Sequence, residues 1–475
     1  MTDLSSAIPA LFQAVPELAA FFRNREAWLV GGAVRDLLMG LRPIDYDIVV
    51  RQDPEILAGD ISRDTGASFF KMGKNRQIVL RGRLKDHTID IVPMAGDSIE
   101  SDLRLRDFTI NAMAVHLSSR AFLDPAGGRH DLASRTLRMV SDKAFPSDPL
   151  RMLRAYRFAA TLNLEIEKGT ESAIKAHSRL IRRPAGERIR EELLRLLTAF
   201  GATGYLWKMK DSGLLFALFP ELVDEKGCMQ NRHHCFDVLD HTLFACRHLE
   251  SLLNDPGTVT DPALQPAIDG IDDRLKPVLK LAMLLHDIGK PRTRSMDTVG
   301  SVHFFGHEKV GAGLAEAISG RLKFSKLDAD YLCGLIQNHL RPVLLYRAHL
   351  NQSLTRKGIV RLFRSLNAIT PEILIMAIAD ARAKTQQVCD ADPSFFAFIA
   401  DLLKAYFLDY LPETNKAPLI TGRDLIALFG LRPSPAFKSI LEAVEEARLS
   451  QRLAGREDAM VLVRTWLQEN DFPES

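Results

Sequence analysis

Two aspartates separated by a single residue, Asp45 and Asp47, interrupt an apolar run that extends from Ile44 to Val50. The run predicts a buried β-strand, in which residues i and i+2 point the same way, so both carboxylates face one spot. Two carboxylates held together repel each other strongly unless a divalent cation lies between them. The pair therefore predicts a metal site of the kind in which Mg²⁺ holds a triphosphate for phosphoryl or nucleotidyl transfer.

A Gly-Gly pair opens the segment just upstream of this strand. Gly31 and Gly32 follow a predicted strand, Ala27 to Val30, and precede a predicted helix, Ala33 to Met39. Glycines at such a turn let backbone N–H groups close on phosphate oxygens at a helix N-terminus, and Arg35 lies one turn in. Either motif alone is common in ordinary loops, but their order within about twenty residues favours a catalytic site.

Asp90 lies in a second strand-like run, 88–92, which follows another at 78–80. Two roles fit this residue equally well. It is either a third carboxylate beside Asp45 and Asp47, on an adjacent strand, or a solvent-facing residue of an edge strand.

Polar side chains also interrupt the stretch from Leu103 to Val115, which is otherwise apolar enough to be buried. These residues are Arg106, Asp107 and Asn111. A buried charge needs a partner, and a ribose hydroxyl with a triphosphate would supply one.

From about residue 141 to 228 the pattern turns helical. Asp148 is placed as a cap before Pro149, and arginines follow at Arg151, Arg154 and Arg157. Asp148 and Arg151 share a helix face, and together they could pair with the Watson–Crick edge of a base. Spacing alone instead favours a helix cap followed by a solvated basic stripe.

A second helix is predicted from Glu187 to Leu197. It carries three arginines that fit either a surface for RNA phosphates or ordinary solvated helix charge: Arg188, Arg190 and Arg195.

The region from 229 to 410 carries histidines on helical segments. His286 and Asp287 follow an apolar helix, Leu279 to Leu285, and both can ligate one metal ion. Lys290 nearby suits a phosphate. Further candidate ligands lie in helical contexts: His241, His307, His339 and Asp380. A lone histidine on an apolar face is usually packed and hydrogen-bonded, but six candidates together favour a metal centre.

Length and composition set limits on these interpretations. A chain of 475 residues predicts two to four domains, and a net charge of +2 requires any nucleic-acid surface to be a local patch. The five cysteines are scattered without a Cys-x-x-Cys motif, which favours a reducing cytoplasm. We expect no membrane span and no signal peptide. One cluster suggests zinc only superficially, since its spacing fits no common site: Cys228, His233, His234 and Cys235.

Taken in order, these residues resemble the class II tRNA nucleotidyltransferases, the CCA-adding enzymes, and the related bacterial poly(A) polymerases. The resemblance covers nearly the whole chain. It implies an α/β nucleotidyltransferase head of the polymerase-beta type over 1–140, followed by all-α regions. These are a helical neck over 141–228, an HD domain over 229–410 and a C-terminal helical tail over 411–475.

The resemblance also implies an activity, which is template-independent addition of C, and possibly A, to the tRNA 3′ end from CTP and ATP. Two Mg²⁺ ions on Asp45 and Asp47 would support the transfer. Nucleotide binding would fall to a larger set: Gly31, Gly32, Arg35, Arg106, Asp107, Asn111, Asp148, Arg151, Arg154 and Arg157. Within that set, Asp148 and Arg151 match the family's amino-acid template that selects the base.

For the HD domain, the resemblance implies a divalent transition metal (Mn, Ni, Fe or Co) and a phosphatase or phosphodiesterase activity. The ligands would be His241, His286, Asp287 and Asp380, with His307 and His339 for a second metal. The alternative is that the HD fold survives only as an RNA-binding body.

Three departures from the family pattern bear on specificity. Leu105 replaces the first arginine of Arg-Arg-Asp, and Ser147 replaces the glutamate of Glu-Asp-x-x-Arg. Only a few residues, Pro93 to Ser98, stand where CCA-adding members carry a longer flexible loop that assists the switch to ATP. We therefore expect CC-biased addition. Two rivals remain, a poly(A) polymerase and a non-catalytic RNA-binding protein with a decayed head.

Overall fold

The computed structural model describes residues 22, 25–72, 78–84, 87–230, 235–254, 262–384 and 392–470. The chain divides into two compact units, residues 1–220 and residues 221–475.

In the described part of the first unit, seven strands form one mixed sheet in the order β3-β4-β5-β2-β1-β6-β7. Their bounds are β1 Ala27–Val30, β2 Asp45–Val50, β3 Ser68–Met72, β4 Val79–Leu84, β5 His87–Pro93, β6 Ala114–His116 and β7 Phe122–Leu123. β2 runs parallel to β5, and the other neighbouring strands pair antiparallel. All four residues of β1 are buried, so the strand that leads into the Gly31 turn lies in the core of the head.

Helices cover the sheet and continue beyond it. They are α1 Gly32–Leu38, α2 Pro54–Thr65, α3 Ile99–Arg104, α4 Gly128–Ala133, α5 Ala144–Ser147, α6 Leu150–Leu162, α7 Lys168–His177, α8 Gly186–Thr198, α9 Ala202–Asp211 and α10 Leu214–Leu218. Two short strands, β8 Thr136–Leu137 and β9 Glu165–Ile166, pair in parallel. The Asp148 carboxylate accepts a hydrogen bond from the Leu150 backbone N–H (3.2 Å), so it caps α6 as its position in the sequence predicts.

The described part of the second unit is almost entirely helical. Its helices are α11 Val238–Asn254, α12 Gln265–Asp269, α13 Lys276–Leu285, α14 Lys290–Thr293, α15 His307–Arg321, α16 Lys326–Asn338, α17 Arg341–Leu350, α18 Arg356–Leu366, α19 Thr370–Arg382, α20 Pro393–Lys404, α21 Leu411–Thr414, α22 Gly422–Phe429, α23 Pro435–Leu449 and α24 Arg456–Glu469. A small hairpin joins β10 Ser295–Met296 to β11 Val302–His303. The last three helices share a core of their own, in which Leu425, Ile440 and Val463 are buried.

The fold class agrees with the sequence analysis, an α/β head followed by all-α regions. The strand predicted at Ala27 to Val30 has those bounds, and the strand with the paired aspartates runs from Asp45. The exact domain limits stay predictions. The compact units separate after Pro220, upstream of the predicted start of the HD region at 229.

One stretch, Arg356–Arg382, is long and apolar enough to cross a membrane by length and composition, which the sequence analysis did not anticipate. It comprises α18 and α19, joined by a 3₁₀ turn. Of the most apolar 18-residue window in this stretch, 67% is buried. Packing in the core of the second unit accounts for this apolar character.

Candidate active site and metal centre

The paired aspartates lie on β2 in the middle of the sheet of the head. Asp47 stands opposite Val30 on β1 and opposite Asp90 on the parallel strand β5. Burial raises the pKa of Asp47 above its ordinary value, and the nearby charges of Asp90 and Asp45 add to this, while Arg106 opposes it. Three carboxylates therefore crowd one region, an arrangement that a bound cation relieves.

The glycine turn lies directly against this carboxylate. Gly31 has φ +71°, and a Cβ built on it would lie 3.3 Å from Asp47 Oδ2 and 3.0 Å from Arg106 Nη1. The lack of a side chain at Gly31 thus leaves room next to both charged groups. A phosphate group bound in this space would lie next to the Gly31 turn, the Asp47 carboxylate and the Arg106 guanidinium.

Asp90 is not on an edge strand, so the solvent-facing alternative was wrong. β5 is flanked by β4 and β2, and the Asp90 side chain is 15% exposed. Its carboxylate accepts two hydrogen bonds from Arg81 on β4, at 2.8 and 2.7 Å. Asp90 and Asp47 lie on the same face of the sheet, but the charge of Asp90 is already neutralised by Arg81. A role for Asp90 as a third metal ligand stays a prediction.

The polar residues expected to bind nucleotide form one buried network. Arg35 Nη1 donates to Asn111 Oδ1 (2.7 Å), and Asn111 Nδ2 donates to Asp107 Oδ1 (3.1 Å). Arg154 contacts Asp107 Oδ2 through two nitrogens, at 3.0 and 2.7 Å. Burial opposes ionisation of Asp107, but Arg154 and the hydrogen bonds outweigh it and lower the pKa. In this structure these residues therefore supply one another's hydrogen-bond and charge partners.

The network ends at Glu192 on α8, which the sequence analysis missed. Glu192 is 6% exposed; it accepts from Arg157 Nε (2.5 Å) and lies 3.8 Å from Arg154 Nη1. A signal existed in the sequence, since an acid three residues after Ile189 and one before Leu193 falls on the apolar face of an amphipathic helix. A buried acid there needs a cation, and two arginines of α6 supply it.

A single aromatic ring packs against three of the arginines. The guanidinium carbons of Arg35, Arg154 and Arg157 lie 5.2, 5.4 and 4.0 Å from the centre of the Phe158 ring. Cation–π attraction adds to the ion pairs and fixes the arginines in place. The arginines of α6 are thus part of the packed head and neck rather than a solvated stripe.

The two residues expected to select the base are also engaged. Arg151 donates to the backbone carbonyls of Leu105 (2.8 Å) and Arg106 (3.2 Å). Asp148 accepts from Arg188 Nη2 at 3.0 Å. Arg188, expected to contact RNA, therefore lies against the candidate base-selecting carboxylate. The other two RNA-contact candidates lie on the same helix, Arg195 exposed and Arg190 partly buried.

The backbone N–H groups of the short connection between β5 and α3 are held by hydrogen bonds. Met94 N donates to Val50 O (2.9 Å), and Ala95 N donates to Asp102 Oδ1 (3.0 Å). Ser98 and Ser101 form a capping box that starts α3. The other oxygen of Asp102 accepts from Arg106 (3.1 Å), so this closed turn is tied to the residue beside the glycine bend.

All six candidate metal ligands of the second unit converge. Two groups share Asp287, one with His241 and His286 and one with His307 and His339, and the ligand atoms within each group lie within 4.8 Å of one another. Asp380 completes the first group, with Oδ1 2.8 Å from His241 Nε2 and 3.6 Å from His286 Nε2. His307 Nε2 lies 3.4 Å from Asp287 Oδ1 and 3.3 Å from His339 Nε2.

Backbone carbonyls fix how these histidines point. The Nδ1 atoms of His286, His307 and His339 lie 2.7, 2.7 and 2.6 Å from carbonyl oxygens three residues upstream. Each Nδ1 can donate there, which leaves Nε2 to act as a ligand. His286 Nε2 is buried and has no hydrogen-bond partner among the described residues, a position that a metal ion fits.

The charges of the cluster also favour a cation. Burial opposes ionisation of Asp287, but His286 and Lys290 hold its pKa well below the usual range. Burial lowers the pKa of His286, but the carboxylates of Asp287 and Asp380 outweigh burial and raise it to about 10. Burial lowers the pKa of His339 to about 3, with His286 adding to the effect. The proton that His286 holds between the ionised carboxylates of Asp287 and Asp380 marks a position that a divalent transition metal suits.

The superficial Cys–His cluster lies only partly within the described residues. Cys228 is half-buried and Cys235 exposed, and both are free thiols. His233 and His234 lie outside the described residues. Lys290, expected near a phosphate, is buried and donates to Asp287 Oδ2 (2.6 Å) and Gln230 Oε1 (2.7 Å).

Three family models match the chain. The Poly A polymerase head domain matches residues 27–138, the probable RNA and SrmB-binding site of polymerase A matches residues 163–225, and the HD domain matches residues 234–384. Together they span the head, part of the neck and the metal cluster.

Curated relatives match over nearly the full length. The chain is 32% identical over 453 residues to an A-adding tRNA nucleotidyltransferase of Deinococcus radiodurans, covering 93% of this chain and 96% of the relative. It is also 32% identical over 456 residues to a CC-adding tRNA nucleotidyltransferase of Thermus thermophilus, covering 94% and 95%.

Solved structures share the fold. A CCA-adding enzyme in complex with CTP aligns with a TM-score of 0.69 at 19% identity, covering 98% of this chain and 99% of that chain. A Thermotoga maritima CCA-adding enzyme complexed with tRNA aligns with a TM-score of 0.67 at 22% identity, covering 98% and 99%. At these identities the likeness concerns the fold.

Proposed function

The chain belongs to the tRNA nucleotidyltransferase family, and we propose that Asp45 and Asp47 are the catalytic carboxylates with which it adds C or A to tRNA 3′ ends from CTP or ATP. The observation that carries this assignment is that Gly31 lies so close to Asp47 and Arg106 that a Cβ on it would lie 3.3 and 3.0 Å from their charged groups. A carboxylate, a phosphate-binding turn and a cation at one place are what nucleotidyl transfer requires.

Mg²⁺ suits this site because its ligands are carboxylate oxygens and because neighbouring acids destabilise the ionised form of Asp47. Bound there, Mg²⁺ would neutralise charge on the α-phosphate and on the pyrophosphate leaving group. The protein's own part is positioning. The Gly31 turn lets backbone approach the phosphates, and Arg106, anchored by Asp102, adds a fixed positive charge beside them.

Base selection falls in this proposal to Asp148 and Arg151, without a nucleic-acid template. Both can hydrogen-bond the Watson–Crick edge of cytosine or adenine. Arg151 now uses its donors on the carbonyls of Leu105 and Arg106, and these contacts link α6 to the end of α3. A bound base would replace the two carbonyl groups as the hydrogen-bond acceptor of Arg151. Nucleotide binding at α6 is therefore coupled to the segment that carries Arg106.

We further propose that addition is biased toward C. The connection from Met94 to Ser98 is short and is closed by hydrogen bonds to Val50 and Asp102. Such a turn cannot act as the flexible loop that assists the switch to ATP. The relatives do not decide the point, because an A-adding and a CC-adding enzyme are equally identical to the chain.

The test uses tRNA transcripts that end at the discriminator base, at C or at CC, each incubated with labelled CTP or ATP. We expect two C additions on the first and little A addition on the last. Efficient A addition to the CC end would overturn the bias. Extension of generic RNA with ATP alone would indicate a poly(A) polymerase instead, and no incorporation at all would indicate an RNA-binding protein.

We propose a second, hydrolytic activity for the HD domain, on phosphomonoesters or cyclic phosphodiesters. It is supported by six candidate ligands arranged in two groups around Asp287, of which five are buried and Asp380 is 15% exposed. A transition metal such as Mn, Ni, Fe or Co would lower the pKa of a bound water. Around it, Lys290 would hold Asp287 in place, and the backbone carbonyls would orient the imidazoles.

Metal analysis of the purified protein, and of His286→Ala, tests the second proposal. We expect bound transition metal in the wild type and its loss in the variant. An HD fold that binds only RNA would contain no metal in either protein. We place both activities in the cytoplasm, since the described cysteines Cys228, Cys235, Cys246 and Cys333 are free.

A further inference from the structure

A groove of about 650 Å³ lies between α15 and α16 of the second unit. Small residues of α15 line one wall, Ala312, Gly313 and Gly320, and Ala329 and Cys333 of α16 line the other. We propose that a second copy of the chain packs its own α15 into this groove, so that the protein is a symmetric homodimer. Assembly of this kind depends on neither proposed activity.

Two glycines of α15 are not required by packing within the described part of the second unit. A Cβ at Gly311 would lie 3.2 Å from Ile336 on α16, so the contact between the two helices accounts for that glycine. A Cβ at Gly313 or Gly320 would meet no described atom within 4 Å. Glycine inside a helix destabilises it relative to alanine. Close approach of another helix gives these two positions a reason to lack a side chain, since the side chains at a crossing set the distance between helices.

The charges of α15 are complementary to those of a second α15. Lys309 and Glu316 are exposed and both line the groove, seven residues apart on one helix face. Neither side chain has an ion-pair partner among the described residues. Lys326 on the opposite wall pairs instead with Asp330 (2.7 Å). One positive and one negative group of α15 are therefore left for a partner.

Symmetry fixes the register of the two copies. When two α15 helices cross antiparallel about a twofold axis that passes between Ala312 and Gly313, Lys309 of each copy lies opposite Glu316 of the other. Both ion pairs then form together, and two small residues meet where the helices are closest. A parallel pair would instead place like charges opposite each other. The face is thus complementary to itself in the antiparallel arrangement.

A buried hydroxyl in the groove independently indicates a missing partner. Ser319 is 2% exposed and lines the groove, and its Oγ has no hydrogen-bond partner among the described residues. In the antiparallel register, Ser319 lies opposite Gly306 of the second copy, at the start of α15. The first N–H groups of a helix have no acceptor within the helix, so they can donate to this oxygen.

The test is the mass of the full-length protein in solution, measured by sedimentation velocity over a wide range of concentration. Wild type should sediment as a dimer. Lys309→Glu and Glu316→Lys each place like charges at both contacts, and we expect each to weaken dimerisation at least about tenfold. The double variant Lys309→Glu/Glu316→Lys restores opposite charges and should restore the dimer. Lys438→Glu, the same charge change at an exposed lysine of α23, should leave the dimer intact.

Gly313→Gln tests the close approach of the helices by size instead of charge. The new side chain meets open space in the single chain and glutamine favours a helix, so we expect a folded monomer. Gly59→Gln, at an equally open glycine of α2, should remain a dimer. Circular dichroism and Tm check the folding of every variant.

Three results would overturn the inference. The first is a wild-type protein that is monomeric at every concentration. The second is a dimer that Lys309→Glu, Glu316→Lys and Gly313→Gln leave intact, because the contact would then lie on another surface. The third is a double charge-reversal variant that dimerises no better than the single variants, because Lys309 and Glu316 would then not pair across the interface.

Discussion

Arg188 donates from Nη2 to Oδ2 of Asp148 over 3.0 Å, and so joins α8 to the residue that caps α6. The Arg188 side chain is 53% exposed, and that of Asp148 is 30% exposed. The residue before Asp148 is Ser147, where the family usually has a glutamate. We interpret Arg188 as the partner that orients Asp148 toward the incoming base.

Substitution Arg188→Ala should therefore alter nucleotide choice. Without the guanidinium, Asp148 is free to adopt other rotamers, and we expect kcat/KM for CTP to fall about tenfold relative to that for UTP, since each bidentate base contact contributes on the order of 1–3 kcal/mol of discrimination. Steady-state incorporation into tRNA measures both values. Glu191→Ala, an exposed change on the same helix, is the control. A uniform loss across all nucleotides, with a higher KM for tRNA, would instead place Arg188 in RNA binding.

The glycine turn allows a sharper test with two substitutions of the same kind. Gly31→Ala adds a Cβ at φ +71°, 3.0 Å from Arg106 Nη1, and we expect about a hundredfold loss of activity through misplacement of the reacting groups. Gly59→Ala lies in α2 with no atom within 4 Å of the new Cβ. It should keep full activity and gain roughly 0.5–1 kcal/mol of stability. Equal activity of the two variants would refute the phosphate-binding role of the turn.

The buried acid of the arginine network should matter for both folding and nucleotide binding. Glu192→Ala leaves Arg157 without its partner and loosens Arg154, and removal of one partner of a buried pair costs roughly 3–5 kcal/mol. We expect a lower Tm and a higher KM for CTP. Glu187→Ala, exposed in the first turn of the same helix, should change neither. An unchanged Tm in Glu192→Ala would show that the pair does not stabilise the neck.

Glu225 predicts a dependence of stability on pH. It has no exposed surface, neither of its carboxylate oxygens has a hydrogen-bond partner in the described residues, and burial raises its pKa well above the ordinary value of 4.5. The folded protein retains a proton that the unfolded chain releases above pH 4.5, so this residue's contribution to stability is lost as pH rises.

Glu225→Gln removes that titration. In chelator-treated protein, we expect the Tm of the variant to exceed that of the wild type by more at pH 8 than at pH 5. Differential scanning fluorimetry measures the four values, and Glu316→Gln, exposed on α15, should show no pH-dependent difference. Parallel Tm curves for Glu225→Gln and wild type would contradict the raised pKa.

The parts of the site that could be predicted from the sequence are those whose geometry depends on residues close together in the chain. Strand alternation places Asp45 and Asp47 on one side, and the glycine turn is read from adjacent residues. The HD ligands also lie in short motifs, and the fold brings all six together.

The parts that sequence reasoning missed depend on contacts between distant residues. Glu192 pairs with an arginine 35 positions away, and Arg188 with an aspartate 40 positions away. Asp90 could not be assigned to a central strand, because strand order is set by the packing of the whole sheet. Pairing partners of this kind follow from tertiary structure and not from periodicity.

In the proposed function, Asp47 and the Gly31 turn together hold the nucleotide for transfer to tRNA. The most direct measurement is incorporation of labelled CTP into tRNA lacking CCA by wild type and Asp47→Asn, with circular dichroism and Tm as controls for folding. We expect the variant to remain folded and to lose at least about a thousandfold in rate, since it lacks the carboxylate proposed to hold the metal. Incorporation by folded Asp47→Asn at close to the wild-type rate would contradict the catalytic role of Asp47.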